Sequence, residues 1–459
     1  MSQIILTGIG DVDDNVRLEK NPDLTVDAGD LLVAIEAAPV NPADFLLANG
    51  WYGVQPEIPS ALGSEGVGRV LEAGSVSDRE LVGKRVVILP TYEQGTWSSS
   101  PPATSSSCPR TPTRCNCPCW RSTRRPRTSC STATSTSSVE RELSEPLPGQ
   151  VRLRVETCGV CHSDVLAVEG LRADPSAPIV PGHEIVGVID AVGAGVTAWQ
   201  AGDRVGVGFL GGHCGECEFC RRGDFVNCAD QPHTGTTVDG GYAEVAFARA
   251  SALVRIPEGM TSIEAAPLLC AGLTTFTALQ QIESRPGALV AVQGIGGLGH
   301  LGLQYASRLG YRVAAIARGT DKAELAAKLG AEHYIDSAGE DPGAALRKLG
   351  GAAAIIATAA SGASMSPLIA GLAPRGRMMV VGAAPDPISV QTTELIFGTR
   401  TLSGSLTGSS IDNEDNLRFS LARGIHPMTE VLPMADAAKA YEHMLSGQAR
   451  FRVVLDMTA

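Results

Sequence analysis

Apolar and polar residues follow three different patterns along the chain. Residues 1–97 carry alternating apolar and polar sequence, which favours β-strands. Residues 98–138 hold 12 Ser, 8 Thr, 6 Pro, 6 Arg and 5 Cys, with Trp120 as their single large apolar side chain. Such a segment buries too little apolar surface to offset its ordering entropy, so we expect a disordered joint. Ordinary apolar patterning resumes at residue 139 and continues to the end.

A strand–turn–helix pattern opens at residue 288. An apolar run precedes the turn Gly294-Ile-Gly296-Gly297-Leu298-Gly299, and helix-period sequence follows it. In such a turn the first glycine permits a tight bend, the second lets backbone approach pyrophosphate, and the third lets the helix pack on the strand. Further apolar runs at 311–316, 333–335, 352–357 and 377–382 alternate with helical stretches such as 321–329. The pattern predicts a parallel, doubly wound sheet that binds a dinucleotide.

The end of the second strand of this sheet bears on which dinucleotide binds. A fold of this kind that binds NAD usually carries an acidic residue there for the ribose diol. This chain has Ala317 and Arg318 instead, so no carboxylate repels a 2′-phosphate and a guanidinium is available to pair with it. We therefore favour NADP slightly over NAD; the alternative is that Arg318 stacks on adenine or faces solvent.

The two flanks of the joint repeat one another. A shift of 119 residues places Pro59 on Pro178, Gly63 on Gly182, Glu65 on Glu184, Gly68 on Gly187, Gly74 on Gly193, Gly83 on Gly202 and Arg85 on Arg204. At this shift Ser64 falls on His183, and with one residue more of offset Asn41 falls on Cys161; the first copy breaks off near Trp97. The chain therefore holds two openings of one domain, and function is expected after residue 138.

Composition limits the classes of partner. A length of 459 residues predicts at least two cores, and 44% hydrophobic with 19% charged residues is typical of globular proteins. The 37 Lys and Arg against 49 Asp and Glu give a net charge of −12, which disfavours nucleic acid and anionic lipid. We expect small-molecule partners and no membrane. The N-terminal sequence lacks a signal-peptide pattern, which favours the cytoplasm.

The joint needs its own explanation. It carries a local charge of +6, and a cysteine-rich basic clip for nucleic acid is conceivable. Its Cys115-Asn-Cys117-Pro-Cys119 run, however, lacks the C-x2-C spacing of common zinc knuckles. We favour out-of-frame translation of a GC-rich coding sequence, a hypothesis that resequencing the gene would test.

Four cysteines lie close together at Cys214, Cys217, Cys220 and Cys228. This spacing lets all four sulfurs turn towards a common centre, for which tetrahedral zinc is the natural occupant. Two disulfides conflict with a cytoplasmic location, and scattered free thiols conflict with the density of cysteines. We predict a structural zinc with no open coordination position.

A second set of ligands is spread over about 110 residues. It comprises Cys161, His183 and Cys270. Two thiolates and one imidazole would leave the fourth zinc position to water or substrate, as a catalytic zinc requires. Considered singly, Cys270 is more often a core cysteine and His183 a structural histidine. Together with the four-cysteine cluster they favour a metal.

These motifs, in this order, resemble the zinc-dependent alcohol dehydrogenases of the medium-chain dehydrogenase/reductase superfamily. The motifs are Cys-His-Ser-Asp at 161–164, Gly-His-Glu at 182–184, the four-cysteine cluster, Leu-Leu-Cys-Ala-Gly at 268–272 and the glycine turn. The resemblance covers nearly all of residues 139–459. Residues 1–97 instead resemble the start of a zinc-free quinone or enoyl-thioester reductase of the same superfamily.

The resemblance implies roles for individual residues. Cys161, His183 and Cys270 would hold the catalytic zinc, with Glu184 beside it as a transient ligand. By the same resemblance, Ser163 would take the alcohol proton and Asp164 would orient His183. His162 and Arg452 would contact the cofactor pyrophosphate. Several relatives carry a proton-relay histidine where this chain has Leu166, so we expect the relay to end at the ribose hydroxyl or water.

The fold class implied is α/β, with a GroES-like, mostly-β catalytic domain, a doubly wound Rossmann cofactor domain and an incomplete second GroES-like fragment at the N-terminus. The predicted boundaries are 1–97 for the fragment, 98–138 for the joint, 139–270 for the catalytic domain, 271–407 for the cofactor domain and 408–459 for the return to the catalytic domain. The second copy begins without the first strand usual in the family.

We expect an enzyme that interconverts alcohols and aldehydes or ketones with two zinc ions and NAD(P), as a homodimer or homotetramer. Relatives associate through the cofactor domain, which directs attention to residues 372–407. One alternative is a catalytically impaired fusion that binds zinc and nucleotide without useful turnover. Another is a reductase of activated double bonds run by the N-terminal fragment, which the missing cofactor domain disfavours.

Overall fold

The computed structural model describes residues 2–20, 26–50, 58–63, 65–88, 142–170 and 178–458. The chain forms two compact units, Met1–Ala133 and Thr134–Ala459. The joint at 98–138 and Ser64 lie outside the described residues, so the disorder expected of the joint stays a prediction.

The first unit contains two small antiparallel sheets. One has the strands Val16–Lys20, Ser2–Leu6 and Ser60–Ala61, and the other has Leu31–Ala37, Gly66–Ala73 and Arg85–Ile88, each given in spatial order. Its helices are Val12–Asn15, Pro42–Ala48 and the 3₁₀ turn Val76–Leu81. Apolar side chains such as Ile35, 54% exposed, and Val87, 53% exposed, face solvent here.

The repeat is visible in the structure of both units. Strands Leu31–Ala37, Gly66–Ala73 and Arg85–Ile88 correspond to Gln150–Val160, Ile185–Val192 and Arg204–Val207, which pair in the same order. Even the turn after the first strand is shared. The Asn41 N–H donates to Asp44 Oδ2 at 2.8 Å, and the Cys161 N–H donates to Asp164 Oδ2 at 2.9 Å.

In the second unit a seven-stranded sheet forms the catalytic domain. Its spatial order is Leu253–Arg255, Arg204–Val207, Ile185–Val192, Gln150–Val160, Arg452–Asp456 and Thr429–Pro433, with Val245–Arg249 also paired to Gln150–Val160. Strand Gln150–Val160 alternates buried and exposed residues over its first half and buries Val151, Leu153 and Val155, as expected of a sheet with one covered face. The C-terminal strand therefore returns to the catalytic domain.

The central strand of this sheet has partners on both sides. Ile185–Val192 pairs along one side, while Val245–Arg249 and Arg452–Asp456 divide the other. In the first unit, Ser2–Leu6 pairs with Ser60–Ala61. The equivalent positions 179 and 180 belong to no strand, and positions 121–125, which are equivalent to Ser2–Leu6, lie outside the described residues.

The cofactor domain is a six-stranded parallel sheet. Its spatial order is His333–Asp336, Arg312–Ala317, Leu289–Gln293, Ala352–Ala357, Leu372–Val380 and Thr401–Gly404. Leu289–Gln293 is buried at every position, as a strand covered by helices on both faces must be. The doubly wound sheet predicted from the sequence is confirmed, and Thr401–Gly404 is an edge strand that the apolar pattern did not indicate.

Helices cover both sheets. In the second unit they are Val165–Val168, Glu218–Arg221, Ser262–Pro267, Leu273–Gln280, Gly299–Arg308, Ala323–Lys328, Pro342–Lys348, Gly362–Met365, Thr392–Ile396, Ser410–Arg423 and Ala437–Leu445, with a π turn at Leu268–Gly272 and 3₁₀ turns at His162–Asp164, Phe225–Asn227, Ala250–Ala252, Ser366–Gly371 and Met434–Asp436. The stretch Ser262–Gln280 is long and apolar enough to cross a membrane, but 78% of its window is buried inside the protein. It is a core helix between the two domains.

Candidate metal and cofactor site

Three elements bring the predicted zinc ligands together. Cys161 follows strand Gln150–Val160, His183 precedes strand Ile185–Val192, and Cys270 lies in the π turn Leu268–Gly272. Four atoms, namely one ligand atom from each of these three residues and a carboxylate oxygen of Glu184, all lie within 4.8 Å of one another. The Sγ atoms of Cys161 and Cys270 are 3.9 Å apart. The second copy thus converges on one small, buried cluster.

Asp164 holds the imidazole of His183. Its Oδ1 lies 3.0 Å from Nδ1 of His183, which donates because a carboxylate can only accept. The other oxygen accepts from the Cys161 N–H at 2.9 Å and from the Tyr242 hydroxyl at 2.9 Å. Nε2 of His183 is buried and has no hydrogen-bond partner among the described residues, and the imidazole lies within the cluster of ligand atoms.

Glu184 and Arg452 form a buried ion pair beside the ligands. The Arg452 guanidinium donates to Oε1 of Glu184, and both residues are less than 5% exposed. Oε2 of Glu184 has no partner among the described residues. Burial raises the pKa of Glu184 to about 7. A Cβ at Gly159 would lie 1.9 Å from Oε2 of Glu184, so the carboxylate occupies space that only glycine leaves.

The two sulfurs of the cluster lie within hydrogen-bond distance of each other. The hydrogen bond from the Cys270 thiol lowers the pKa of Cys161 well below its usual value, and the same contact raises that of Cys270. An anionic sulfur beside a second thiol, an unclaimed imidazole nitrogen and a buried carboxylate is a donor set suited to zinc. The residues present therefore fit the metal that the sequence predicts.

The four remaining cysteine ligands form a separate lobe. The sulfurs of Cys214, Cys217, Cys220 and Cys228 lie within 4.8 Å of one another. Cys214 Sγ lies 3.6 Å from Cys228 Sγ and 3.9 Å from Cys220 Sγ, too far for a disulfide. Hydrogen bonds from the backbone N–H groups of Ala229 and Cys220 lower the pKa of Cys217 to about 6. These thiols are free, as a metal site requires.

The glycine turn has the geometry that its spacing predicts. Gly294 has φ of +87°, and a Cβ at Gly299 would lie 1.6 Å from the Gly294 carbonyl oxygen. A Cβ at Gly296 would meet nothing within 4 Å, which leaves the turn open to a ligand. At Gly297 a Cβ would lie 2.8 Å from Nη1 of Arg452. Leu298 is the N-cap of helix Gly299–Arg308.

Arg452 thus contacts both halves of the site. One nitrogen bonds Glu184 beside the metal ligands, another lies against Gly297 in the turn, and its Nε is buried without a partner among the described residues. His300 ties the turn to the same C-terminal segment. Its Nδ1 donates to the Gly296 carbonyl at 2.9 Å, and its Nε2 accepts from the Met428 N–H at 3.2 Å.

The other predicted residues lie at the surface of the site. His162 and Ser163 are exposed on the 3₁₀ turn between Cys161 and Asp164, and Arg318 is exposed just after strand Arg312–Ala317. The sequence analysis missed Lys322, whose Nζ donates to the Ile295 carbonyl at 3.0 Å inside the glycine turn. The one feature of the sequence that could have indicated this role is that Lys322 lies four residues after Arg318.

Comparison with known proteins identifies the family. Residues 27–117 and 147–258 match the alcohol dehydrogenase GroES-like domain, so both copies of the repeat belong to it. Residues 297–422 match the zinc-binding dehydrogenase family. The chain belongs to the zinc-dependent alcohol dehydrogenases. The GroES-like and Rossmann-type domains expected from the sequence are confirmed, and the enzyme is an oxidoreductase of alcohols and aldehydes or ketones.

Individual relatives of this alcohol dehydrogenase match about two thirds of its length. The alcohol dehydrogenase patD of Penicillium expansum is 42% identical over 315 residues, 69% of this chain and 92% of the relative. The structure of a cinnamyl alcohol dehydrogenase from Sorghum bicolor has a TM-score of 0.62 and 33% identity, covering 69% of this chain and 93% of that one. A CAD from Helicobacter pylori complexed with NADP(H) has a TM-score of 0.61 and 28% identity, covering 68% and 91%. The alternative of an impaired fusion gains no support from these relatives.

Proposed function

We propose that Cys161, His183 and Cys270 hold a catalytic zinc, at which hydride passes between an alcohol carbon and NAD(P). The observation that carries this proposal is Nε2 of His183, buried without a partner between two sulfurs and a carboxylate. A structural histidine in a protein core would have both ring nitrogens bonded. A zinc ion held by these residues would supply a Lewis acid that lowers the pKa of an alcohol.

The chain's own residues orient and protect this site. Asp164 fixes the ring of His183 through Nδ1, which leaves Nε2 as the donor atom towards the metal. Ser163, exposed beside Cys161, would take the proton that the alcohol releases, and a ribose hydroxyl or water would accept it next because Leu166 has no group that can carry a proton. Glu184 lies within the ligand cluster and serves as a transient ligand, with Arg452 neutralising its charge.

The glycine turn and two cations receive the cofactor. Gly294–Gly299 presents open backbone at the start of helix Gly299–Arg308, and helix N-termini attract phosphate. His162 and Arg452 contact the pyrophosphate. Ala317 offers no carboxylate, while Arg318 and Lys322 lie on the loop beside the turn, which favours NADP. The relative from Helicobacter pylori, complexed with NADP(H), gives a precedent for that choice in this fold.

The four-cysteine lobe holds a second, structural zinc. All of its four positions are filled by sulfur, so the lobe braces residues 214–228 and takes no part in turnover. The enzyme acts in the cytoplasm on a small-molecule substrate. It forms a homodimer or homotetramer through the cofactor domain, where edge strand Thr401–Gly404 and the exposed Ile396 and Leu406 are available for contact.

Turnover and metal content test this function together. Purified protein is assayed with a panel of primary and secondary alcohols and aldehydes, with NAD and with NADP, and its zinc is measured by elemental analysis. We expect turnover with both cofactors and two zinc ions per chain. One zinc or none contradicts the ligand assignment. Two zinc ions without turnover on any substrate would favour the catalytically impaired fusion.

A further inference from the structure

The helix that carries Cys270 changes its geometry at that residue. Ser262–Pro267 and Leu273–Gln280 are α-helical, whereas Leu268–Gly272 between them is a π turn. The N–H of Leu273 reaches back five residues to the carbonyl of Leu268. A π turn inserts one extra residue into a helix and rotates the side chains that it carries. Cys270 is the middle residue of this turn, so the turn sets the direction of its sulfur.

Two asparagines from a distant helix bond the start of the π turn. Nδ2 of Asn416 donates to the Leu268 carbonyl at 2.9 Å, and Nδ2 of Asn413 donates to the Leu269 carbonyl at 3.0 Å. Both lie on helix Ser410–Arg423, more than 140 residues further along the chain. The two carbonyls that precede Cys270 in the turn are therefore not held by helix hydrogen bonds alone.

The end of the turn is bonded from within its own helix. Oγ1 of Thr275 donates to the Ala271 carbonyl at 2.9 Å and lies 3.1 Å from the Gly272 carbonyl. Three side-chain donors thus reach four of the five carbonyls of the turn, with the single proton of the Thr275 hydroxyl shared between two of them. The fifth, that of Cys270 itself, accepts the N–H of Leu273.

The asparagines are themselves fixed by a buried network. The Tyr305 hydroxyl donates to Oδ1 of Asn416 and lies 2.8 Å from Oγ of Ser420, and Nδ2 of Asn416 lies 3.3 Å from Oδ1 of Asn413. Tyr305 comes from helix Gly299–Arg308, which follows the glycine turn. Each of these side chains is 1% exposed or less. The orientation of each amide is thereby determined, since exchanging its oxygen and nitrogen would break the network.

The buried face of helix Ser410–Arg423 is mostly polar, which packing alone does not require. The buried residues of helix Ser410–Arg423 are Asn413, Asn416, Leu417 and Ser420, three of them polar. A buried polar group is unfavourable unless it is hydrogen-bonded, and an apolar side chain would fill the same space without that requirement. Gly208 leaves room for the hydrogen bond between Asn413 and the Leu269 carbonyl. A Cβ at Gly208 would lie 2.9 Å from that carbonyl oxygen and 3.5 Å from Nδ2 of Asn413.

We propose that Asn413 and Asn416, oriented by Tyr305, are positioning residues that hold the π turn and so fix the sulfur of Cys270 at the catalytic metal. This inference rests on the proposed metal site. The asparagines donate hydrogen bonds to the main chain of the turn and do not contact the metal. They affect the metal site only through the position of Cys270. Loss of their bonds lets the turn relax towards α-helical geometry and weakens the hold of the third ligand.

The test measures how firmly the site holds cobalt(II), whose bonds to thiolate sulfur absorb light. The full chain is loaded with cobalt, and the His183→Ala chain supplies the absorption of the four-cysteine lobe. An excess of chelator is added below the unfolding temperature, and the rate of cobalt loss is followed. The variants are Asn413→Leu, which keeps the volume and removes the amide, and Tyr305→Phe, which removes one hydroxyl. Leu417→Ala, on the same helix and fully buried, is the matched control for general destabilisation.

We expect Asn413→Leu to lose cobalt from the catalytic site about tenfold faster than the wild type, in the range seen for outer partners of metal ligands. Tyr305→Phe should show a smaller acceleration, and Leu417→Ala should lose cobalt at the wild-type rate although its melting temperature falls. Wild-type rates in both network variants, or equal rates in Asn413→Leu and Leu417→Ala, would overturn the inference. If Asn413→Leu does not fold, Tyr305→Phe decides alone. A wild-type chain whose cobalt spectrum equals that of His183→Ala overturns the proposed metal site itself, and the inference with it.

Discussion

The hydroxyl of Tyr242 donates a hydrogen bond to Oδ2 of Asp164 at 2.9 Å, on the side of the carboxylate opposite His183. Asp164 therefore has a fixed partner for each oxygen, and the imidazole is held through it. We predict that Tyr242→Phe lowers kcat about tenfold, because partners of ligand-orienting groups contribute on this scale. Melting temperature should change little, since the ring remains. Steady-state kinetics and thermal unfolding check this.

Tyr311→Phe is the control for that variant. The Tyr311 hydroxyl contacts the Ser284 carbonyl at 3.5 Å, in the cofactor domain and outside the ligand cluster. Its removal should leave kcat unchanged. Equal losses in both variants would show that Tyr242 contributes only packing.

The two metal sites should respond differently to loss of one ligand. Cys217→Ser empties a closed site that braces a lobe, so we predict a lower melting temperature, because the folding free energy of a structural metal is lost. His183→Ala should abolish turnover and leave the fold nearly intact. Zinc analysis should give one ion in each variant. Full activity of His183→Ala would contradict the catalytic assignment.

Arg318 should decide cofactor preference. We predict that Arg318→Ala weakens NADP selectively, by about 1.5 to 3 kcal/mol, because a charge-assisted contact to phosphate is lost. The ratio of kcat/KM with NADP to that with NAD measures this directly. Lys328→Ala is a matched control, since Lys328 pairs with Glu324 at the surface. Equal losses with both cofactors would show that Arg318 does not contact the 2′-phosphate.

His300 should make folding sensitive to acid. Burial lowers its pKa from 6.5 to about 4. Between pH 4 and 6.5 the unfolded chain binds a proton on this imidazole and the folded chain does not. The contribution of the buried neutral imidazole to the free energy of unfolding is therefore full above about pH 6.5 and falls as the pH drops towards 4. The difference corresponds to about 3 kcal/mol. His300→Asn should flatten the dependence of the free energy of unfolding on pH in this window, and an unchanged slope would refute the assignment.

Residues 1–138 should contribute nothing to catalysis. The first copy has Asn41 and Ser64 at ligand positions, and strand Ser2–Leu6 is paired with two strands of its own unit. We predict that a chain lacking residues 1–130 keeps its kcat/KM and melting temperature. A marked fall in melting temperature on deletion would mean that the fragment supplies the missing edge strand.

The sequence predicted the elements whose signals are local. The strand predicted at 352–357 was found with those bounds, and the glycine turn was predicted because each of its glycines meets a constraint from a near neighbour. The clustering of the candidate metal ligands was predictable because cysteine and histidine are scarce and their chemistry is specific. Strand Thr401–Gly404 was missed because it is short and has Leu402 as its single large apolar residue.

Contacts between distant segments could not be predicted. Tyr242 meets Asp164 across 78 positions, and Asn416 meets Leu268 across 148. An asparagine or tyrosine in a helix or loop has many satisfactory environments, so its residue type alone does not indicate its partner. The contact of Lys322 with the Ile295 carbonyl could not be predicted either, because a lysine just before a surface helix is usually solvated.

The spacing of the ligands along the chain has a consequence for biosynthesis. The four cysteines of the lobe are at most 14 positions apart, whereas Cys161 and Cys270 are separated by 109. A ribosome that has released residue 228 has made all four cysteines of the lobe, while the second ligand cluster still lacks Cys270, which is its second sulfur, and Arg452. The lobe can capture metal during translation. The reactive site assembles last, when the C-terminal strand joins the sheet.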